Sequence, residues 1–345
     1  MKALIWHKNG QIELVEKPVP TIIDPNDAIV KVKLSSICTS DLHIIKGFVP
    51  KAIPETVLGH EFVGEVVEVG GNIKNLKVGD RVAANCETFC GECFFCKRGF
   101  INNCEKGGWE LGCTIDGCQA EYVRVPYADM GLNKIPDNIS YKNALFVGDI
   151  LSSGYWGAEL CEIKEHDTIA VIGAGPVGLC AMESARTMGA KTIIAIDIDD
   201  TRLNLAKEKQ LADYIVNPKN TNPETFIKNL TSGRGADGVI EAAGTQDTFR
   251  MAWQIARPNA IVSIVAMYET DQILPLPKMY GKNLIFKTGG VDANHCKKLL
   301  SLISENKINT DFLITQTYSL DKIIEAYNLF DQKPTGCLKI AVTSE

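Results

Sequence analysis

A chain of 345 residues, 45% apolar and 23% charged, exceeds the roughly 250–300 residues at which a single core stops growing, so two domains are expected. A formal charge of −6, from 36 basic and 42 acidic residues without clustered runs, argues against nucleic acid or an anionic membrane as partner. No apolar run approaches the ~20 residues of a membrane helix, and the opening Met1-Lys2-Ala3-Leu4-Ile5-Trp6-His7 has no signal-peptide core, so the expected setting is a reducing cytoplasm in which several of the twelve cysteines hold metal.

The first 150 residues read as short β segments punctuated by Gly and Pro. Residues 28–34 and 62–69 alternate with a period of two, and 80–84 follow a Val-Gly-Asp turn. Helical periodicity is scarce, which predicts a β-rich, barrel-like domain. From Thr168 the texture changes. Strands are expected at 168–172, 191–196, 214–216, 238–241, 260–265 and 284–287, with helices at 176–188, 201–210 and near 223–230 and 248–256. That rhythm predicts an α/β, doubly wound parallel sheet with helices on both faces. Helices near 295–305 and 320–330 and a strand at 338–342 end the chain.

The strand at 168–172 runs into Gly173-Ala174-Gly175-Pro176-Val177-Gly178, and a helix follows. This is the Rossmann context for a dinucleotide: Gly173 for the tight turn, Gly175 for close approach of a pyrophosphate to the helix N-terminus, Gly178 for helix–strand packing. Pro176 and Val177 open that helix. Asp197 ends the next strand, where a carboxylate accepts from both adenosine ribose hydroxyls and repels a 2′-phosphate. The neighbours Ile198, Asp199 and Asp200 bring no cation, and Arg202 is the nearest one. NAD is therefore expected rather than NADP. The alternative role for Asp197 is capping the helix that begins near Thr201.

Cys90, Cys93, Cys96 and Cys104 follow the spacing C-x2-C-x2-C-x7-C. Four thiolates this close form a closed tetrahedral shell for a structural zinc. Cys38, His60 and Asp149 are a second candidate set. Three ligands leave a fourth position for water or substrate, the mark of a catalytic zinc. Read from spacing alone, a lone Cys such as Cys38 and a lone His such as His60 are more often a small buried hydrophobe and a satisfied core histidine. Ser40 and His43 likewise fit as a turn residue and a surface histidine, and Trp109 as a packed indole. The remaining cysteines, 86, 113, 118, 161, 180, 296 and 337, read as small apolar residues.

Five stretches together resemble a zinc-containing medium-chain alcohol dehydrogenase over essentially the full length. They are Cys38-Thr39-Ser40-Asp41-Leu42-His43, Gly59-His60-Glu61-Phe62-Val63-Gly64-Glu65-Val66, Val78-Gly79-Asp80-Arg81-Val82, the four-cysteine lobe and the glycine motif. The resemblance implies a GroES-like catalytic domain over 1–150 carrying the structural-zinc lobe at about 86–105. An NAD-binding Rossmann domain would cover 151–286, and 287–345 would return to the catalytic domain. It implies two Zn²⁺ per chain, the catalytic one on Cys38, His60 and Asp149 with Glu61 as a neighbouring, sometimes exchanging, ligand. Asp149 as third ligand is similar to the bacterial secondary-alcohol branch, which commonly lacks the cysteine lobe and often uses NADP. Within this resemblance Ser40 touches the alcohol oxygen, His43 relays its proton, and Trp109 walls the substrate pocket. No Arg or Lys is evidently aimed at these residues, which favours a small neutral alcohol or ketone over a hydroxy acid. The expected reaction is reversible oxidation of a small secondary alcohol by hydride transfer to NAD, in a homodimer or homotetramer. Alternatives are a polyol, 2,3-butanediol or L-threonine dehydrogenase, and a non-catalytic zinc-stabilised dinucleotide-binding protein.

Overall fold

The computed structural model describes every residue except Lys333 and Glu345. It divides into two compact units, Met1–Ser152 with Asp292–Glu345, and Ser153–Val291.

The first unit is built on the strand Ala28–Ser36. Its period-two positions Ala28, Val30 and Val32 pack into one cluster with Phe62, Val66, Val82, Val123 and Val125. One edge of this strand pairs antiparallel with Glu61–Val69. The other edge is shared: Tyr122–Val125 pairs with its first half and Lys339–Thr343 with its end. Arg81–Ala84 and Leu132–Lys134 extend the sheet on one side and Ile314–Ser319 on the other, seven strands in all. The C-terminal segment is thus an internal part of this sheet. A short helix, Thr39–Ile45, interrupts a stretch in which little helical periodicity is legible. Seven residues are too few to show periodicity, and the helix is specified at its start. Asp41 at the third position accepts from the Cys38 backbone N–H at 2.9 Å.

The second unit holds six parallel strands in the order Tyr214–Val216, Thr192–Ile196, Thr168–Ile172, Ala236–Glu241, Ala256–Ile264, Ile285–Thr288. The inner strands are near-continuous apolar runs, as burial on both faces requires. Helices Pro176–Thr187, Asp200–Glu208, Pro223–Leu230 and Gln246–Ile255 lie between them. Chain order reverses on either side of Thr168–Ile172, which puts a topological switch point at its carboxyl end. The unit continues past 286, because Ile285–Thr288 pairs with Ala256–Ile264 and completes the sheet. The helix anticipated at 320–330 is a 3-10 turn, Leu320–Lys322, running into Ile323–Asp331.

A buried charge pair sits inside the first unit. Lys339, 2% exposed, begins the last strand. Its ammonium lies 2.5 Å from Glu61 Oε2 and donates to the carbonyl of Ile37 at 2.7 Å. Burial opposes this charge, but the Glu61 carboxylate outweighs it and holds the Lys339 pKa above the ordinary lysine value. Removing one member of such a pair strands the other. Lys339→Met is expected to destabilise the protein by about 3–5 kcal/mol, and adding Glu61→Gln to recover much of that loss. Chemical denaturation of the three proteins checks this; equal stabilities for Lys339→Met and the parent would show the pair to be dispensable.

Candidate active site

Cys38 ends the loop after the central strand and caps the helix Thr39–Ile45. His60 immediately precedes Glu61–Val69, and Asp149 immediately precedes the helix Ile150–Leu160. One donor atom from each lies within 4.8 Å of the others. Cys38 Sγ is 3.6 Å from Asp149 Oδ2, and His60 Nε2 is 3.2 Å from the same oxygen. Tetrahedral zinc with bonds of ~2.0–2.3 Å separates such donors by about 3.3–3.6 Å, so the trio fits the ion. The opposite ring nitrogen, His60 Nδ1, faces Asp41 Oδ1 at 3.5 Å. That carboxylate–histidine arrangement orients Nε2 toward a metal. Asp41 is itself fully buried and accepts from the Tyr327 hydroxyl at 3.1 Å.

The electrostatics agree with this. Burial opposes charge on the His60 ring, yet its bonds to Asp149 and Cys38 and the charge of Asp41 outweigh burial and hold its pKa well above the usual histidine value. Burial by itself would raise Asp149; the His60 bond and charge reverse that and hold it well below the usual carboxylate range. The Cys38 thiol is pushed up by burial, with Asp149 and Glu61 adding to the rise and Lys339 opposing it. A thiol, an imidazole and a carboxylate buried together beside the Lys339 ammonium form a donor set that a divalent cation would suit.

Ser40 Oγ is 3.2 Å from His60 Nε2, beside the metal-facing nitrogen. His43 lies on the same helix, half-buried, its ring edge-on to Phe48 at 6.1 Å between centroids. Trp109 packs edge-to-face on His60 at 5.8 Å. Glu61, expected as an exchanging ligand, lies outside the trio and is committed to Lys339. Lys339 also corrects the expectation that no cation is aimed here: one is, and Glu61 neutralises it. Sequence reasoning missed Asp41, Tyr327 and Lys339. Asp41 had a signal, the cap spacing Cys38-Thr39-Ser40-Asp41; the other two come from the far end of the chain and had none.

The four lobe cysteines also converge, their sulfurs within 4.8 Å of one another. Cys90 and Cys96 sulfurs are 4.0 Å apart, and Cys90 and Cys104 are 3.6 Å apart. Sulfurs on tetrahedral zinc lie about 3.8 Å apart. Backbone N–H groups of Cys90, Cys96 and Lys106 donate to lobe sulfurs at 3.3–3.5 Å. Those from Cys96 and Glu105 pull the Cys93 thiol down to about 6, whereas burial pushes Cys96 up to about 12 and Cys104 up as well. No disulfide joins any of the twelve cysteines, and the seven outside these clusters are buried.

In the second unit, Gly173 takes φ +96°, which no side chain tolerates well. A Cβ on Gly178 would fall 1.8 Å from the Gly173 carbonyl oxygen, so helix and turn meet at backbone distance. Gly175 caps the helix Pro176–Thr187, with Pro176 and Val177 in its first turn. Asp197 accepts from the backbone N–H of Ala174 at 2.6 Å and of Asp199 at 2.9 Å, tying it to the glycine turn. The cap of the next helix is Asp199, which accepts from Thr201 and Arg202, so Asp197 is not spent on capping. The Arg202 guanidinium lies 3.7 Å from where a Cβ on Gly175 would stand.

Residues 24–137 match the family model of the alcohol dehydrogenase GroES-like domain, and residues 176–305 that of the zinc-binding dehydrogenase domain. An alcohol dehydrogenase of Cupriavidus necator is 37% identical over 99% of this chain and 98% of its own. An NADP-dependent isopropanol dehydrogenase of Thermoanaerobacter brockii is 34% identical over 99% of both chains. The solved structure of an alcohol dehydrogenase from Thermus sp. ATN1 superposes with a TM-score of 0.92 at 35% identity, covering 99% of each chain. With two metal-competent clusters, a glycine cradle and relatives matched end to end, the chain belongs to the zinc-containing medium-chain alcohol dehydrogenases, a family of oxidoreductases.

Proposed function

We propose that the protein reversibly oxidises small, neutral, secondary alcohols to ketones with NAD as hydride acceptor. One zinc ion is assigned to Cys38, His60 and Asp149 and a second to Cys90, Cys93, Cys96 and Cys104. The observation that carries the reading is the Cys38/His60/Asp149 trio, three donors within 4.8 Å beside the Ser40 hydroxyl. Zinc bound there supplies Lewis acidity, which lowers an alcohol's pKa toward neutrality.

Ser40, next to the metal-facing His60 nitrogen, accepts the proton the alcohol loses. His43, three residues on and one turn along the same helix, passes it toward solvent. Trp109 against His60 walls the substrate and keeps water from the reacting carbon. Glu61 and Lys339 neutralise each other, so Lys339 is not free to hold a substrate carboxylate; this supports a neutral alcohol over a hydroxy acid. The glycine cradle and helix N-terminus hold the pyrophosphate. Asp197 keeps acceptor capacity beyond its two backbone bonds, since a carboxylate has about four lone-pair sites. That favours ribose hydroxyls and repels a 2′-phosphate, and this supports NAD here although the T. brockii relative is named for NADP. Exposed Ile273, Leu276 and Tyr280, close in sequence to the edge strand Ile285–Thr288, support assembly as a homodimer or homotetramer. A cytoplasmic setting suits five thiolate ligands. No helix among the described residues is long and apolar enough to cross a membrane.

Three measurements test this reading. The first is metal analysis: the parent should carry about two zinc ions, Asp149→Ala one with activity lost, and Cys104→Ser one with lowered thermal stability. Full activity of Asp149→Ala with both ions retained would remove the ligand assignment. The second is a pH–rate profile, in which His43→Ala slows turnover more at low pH than at high pH, where hydroxide takes the proton directly. An unchanged profile rules out the relay. The third is a panel of 2-propanol, 2,3-butanediol, sorbitol and L-threonine read by reduced-cofactor absorbance with NAD⁺ and NADP⁺ in parallel. NAD⁺ is expected to prevail, and Asp197→Ala to narrow its lead; a parent preference for NADP⁺ contradicts the Asp197 argument.

A further inference from the structure

Glu87 belongs to neither metal cluster, yet it is buried at 6% exposure between the strand Arg81–Ala84 and the cysteine lobe. Its backbone N–H donates to Asn85 Oδ1 at 2.9 Å, while its side-chain Oε2 has no hydrogen-bond partner. A Cβ on Gly108 would lie 3.9 Å from that oxygen, so the carboxyl abuts the turn Gly107-Gly108-Trp109. Paired backbone bonds between Thr88 and Gly108, at 3.0 and 2.7 Å, hold the two segments together. Trp109 Nε1 is a second buried polar atom without a partner, on the indole that packs against His60. Lys51 fixes that indole from outside, donating to the Trp109 carbonyl at 2.9 Å with its ammonium 5.5 Å from the ring centroid.

Buried polar atoms are almost always paired, and leaving them unpaired is costly. Two such atoms lie on neighbouring segments, one on the residue that packs on His60 and the other against that residue's turn. Burial pushes the Glu87 carboxyl up to about 8; Lys51 and His60 oppose the rise and Asp149 adds to it, so the group lies in the field of the Cys38/His60/Asp149 cluster. At neutral pH a carboxyl so placed is largely protonated and offers both a donor and acceptors, the complement of a hydroxyl.

We propose that Glu87 and Trp109 Nε1 form a polar subsite that hydrogen-bonds a second hydroxyl of the substrate, so the preferred alcohols are vicinal diols or polyols rather than simple alkyl alcohols. This rests on the dehydrogenase reading above and narrows its substrate class. An alkyl alcohol leaves both atoms unpaired, and a site built to bond a hydroxyl discriminates against the analogue lacking it.

The test uses the zinc-loaded protein with NAD⁺ and the matched pair 2,3-butanediol and 2-butanol. The ratio of kcat/KM for diol over monoalcohol should exceed about ten in the parent and fall about tenfold in Glu87→Leu. It should fall in Trp109→Phe, which keeps the ring and removes the donor, and stay nearly constant in Glu87→Gln, which keeps a donor and an acceptor. A merely structural role would lower both substrates together, leaving the ratio unchanged, and that result overturns the proposal. Ligand-induced thermal stabilisation of the NAD⁺-bound protein gives a second reading without turnover. The diol should stabilise the parent more than 2-butanol does, with the difference lost in Glu87→Leu; equal shifts in the parent also overturn it. Turnover of 2-butanol without diol preference removes the subsite and leaves the dehydrogenase standing. Turnover of neither alcohol removes the dehydrogenase reading, and the thermal shifts then decide the subsite.

Discussion

A buried positive charge, Lys339, holds the first unit's site together. Around it the chain gathers Cys38, Asp41, His60, Glu61 and Asp149, a set rich in groups that become anionic or share protons. Burying several such groups without compensation is far more costly than any surface arrangement. The ammonium at 2.5 Å from Glu61 answers one carboxylate, and the divalent ion proposed for Cys38, His60 and Asp149 would answer the others. Because Lys339 opens the last strand, the C-terminal segment has to enter the sheet between residues 34–36 and Ile314–Ser319 for the site to form at all.

Positioning of the reactive groups follows from this arrangement. Asp41 is shared by three partners: the Cys38 backbone N–H, the His60 ring and the Tyr327 hydroxyl. It therefore sets the start of the helix Thr39–Ile45, the orientation of the imidazole and the docking of the helix Ile323–Asp331 in one step. The same helix carries Ser40 and His43, so the proposed proton route is built on the element that the metal-facing residues already orient. The nucleotide cradle of the second unit uses a different economy. There the contacts are backbone to backbone, with Gly173 and Gly178 removing side chains where they would collide, and one carboxylate, Asp197, tying the turn to the end of the next strand.

The sequence is most legible where geometry depends on local spacing. The lobe of Cys90, Cys93, Cys96 and Cys104, and the strand–glycine–helix unit around Gly173, are legible because their geometry is made by near neighbours in the chain. The parallel sheet was legible for a related reason: strands buried on both faces must be apolar along their length, as Thr168–Ile172 and Thr192–Ile196 are. The seven-residue helix after Cys38 was not, since its stability comes from a cap and from packing rather than from a repeating apolar face.

The amino-acid sequence alone determined the two-domain layout, the nucleotide turn and the four-thiol lobe, because each is encoded by a period or a spacing that local stereochemistry enforces. The family resemblance implied one site for Cys38, His60 and Asp149; only the tertiary structure decided their spacing, that Glu61 is paired with Lys339, and that Glu87 and Trp109 present unpaired polar atoms. Those facts depend on contacts between residues up to some 300 positions apart, such as Lys339 with Ile37. No local pattern carries them, since it is the burial of charge, shared among distant segments, that selects which groups must meet.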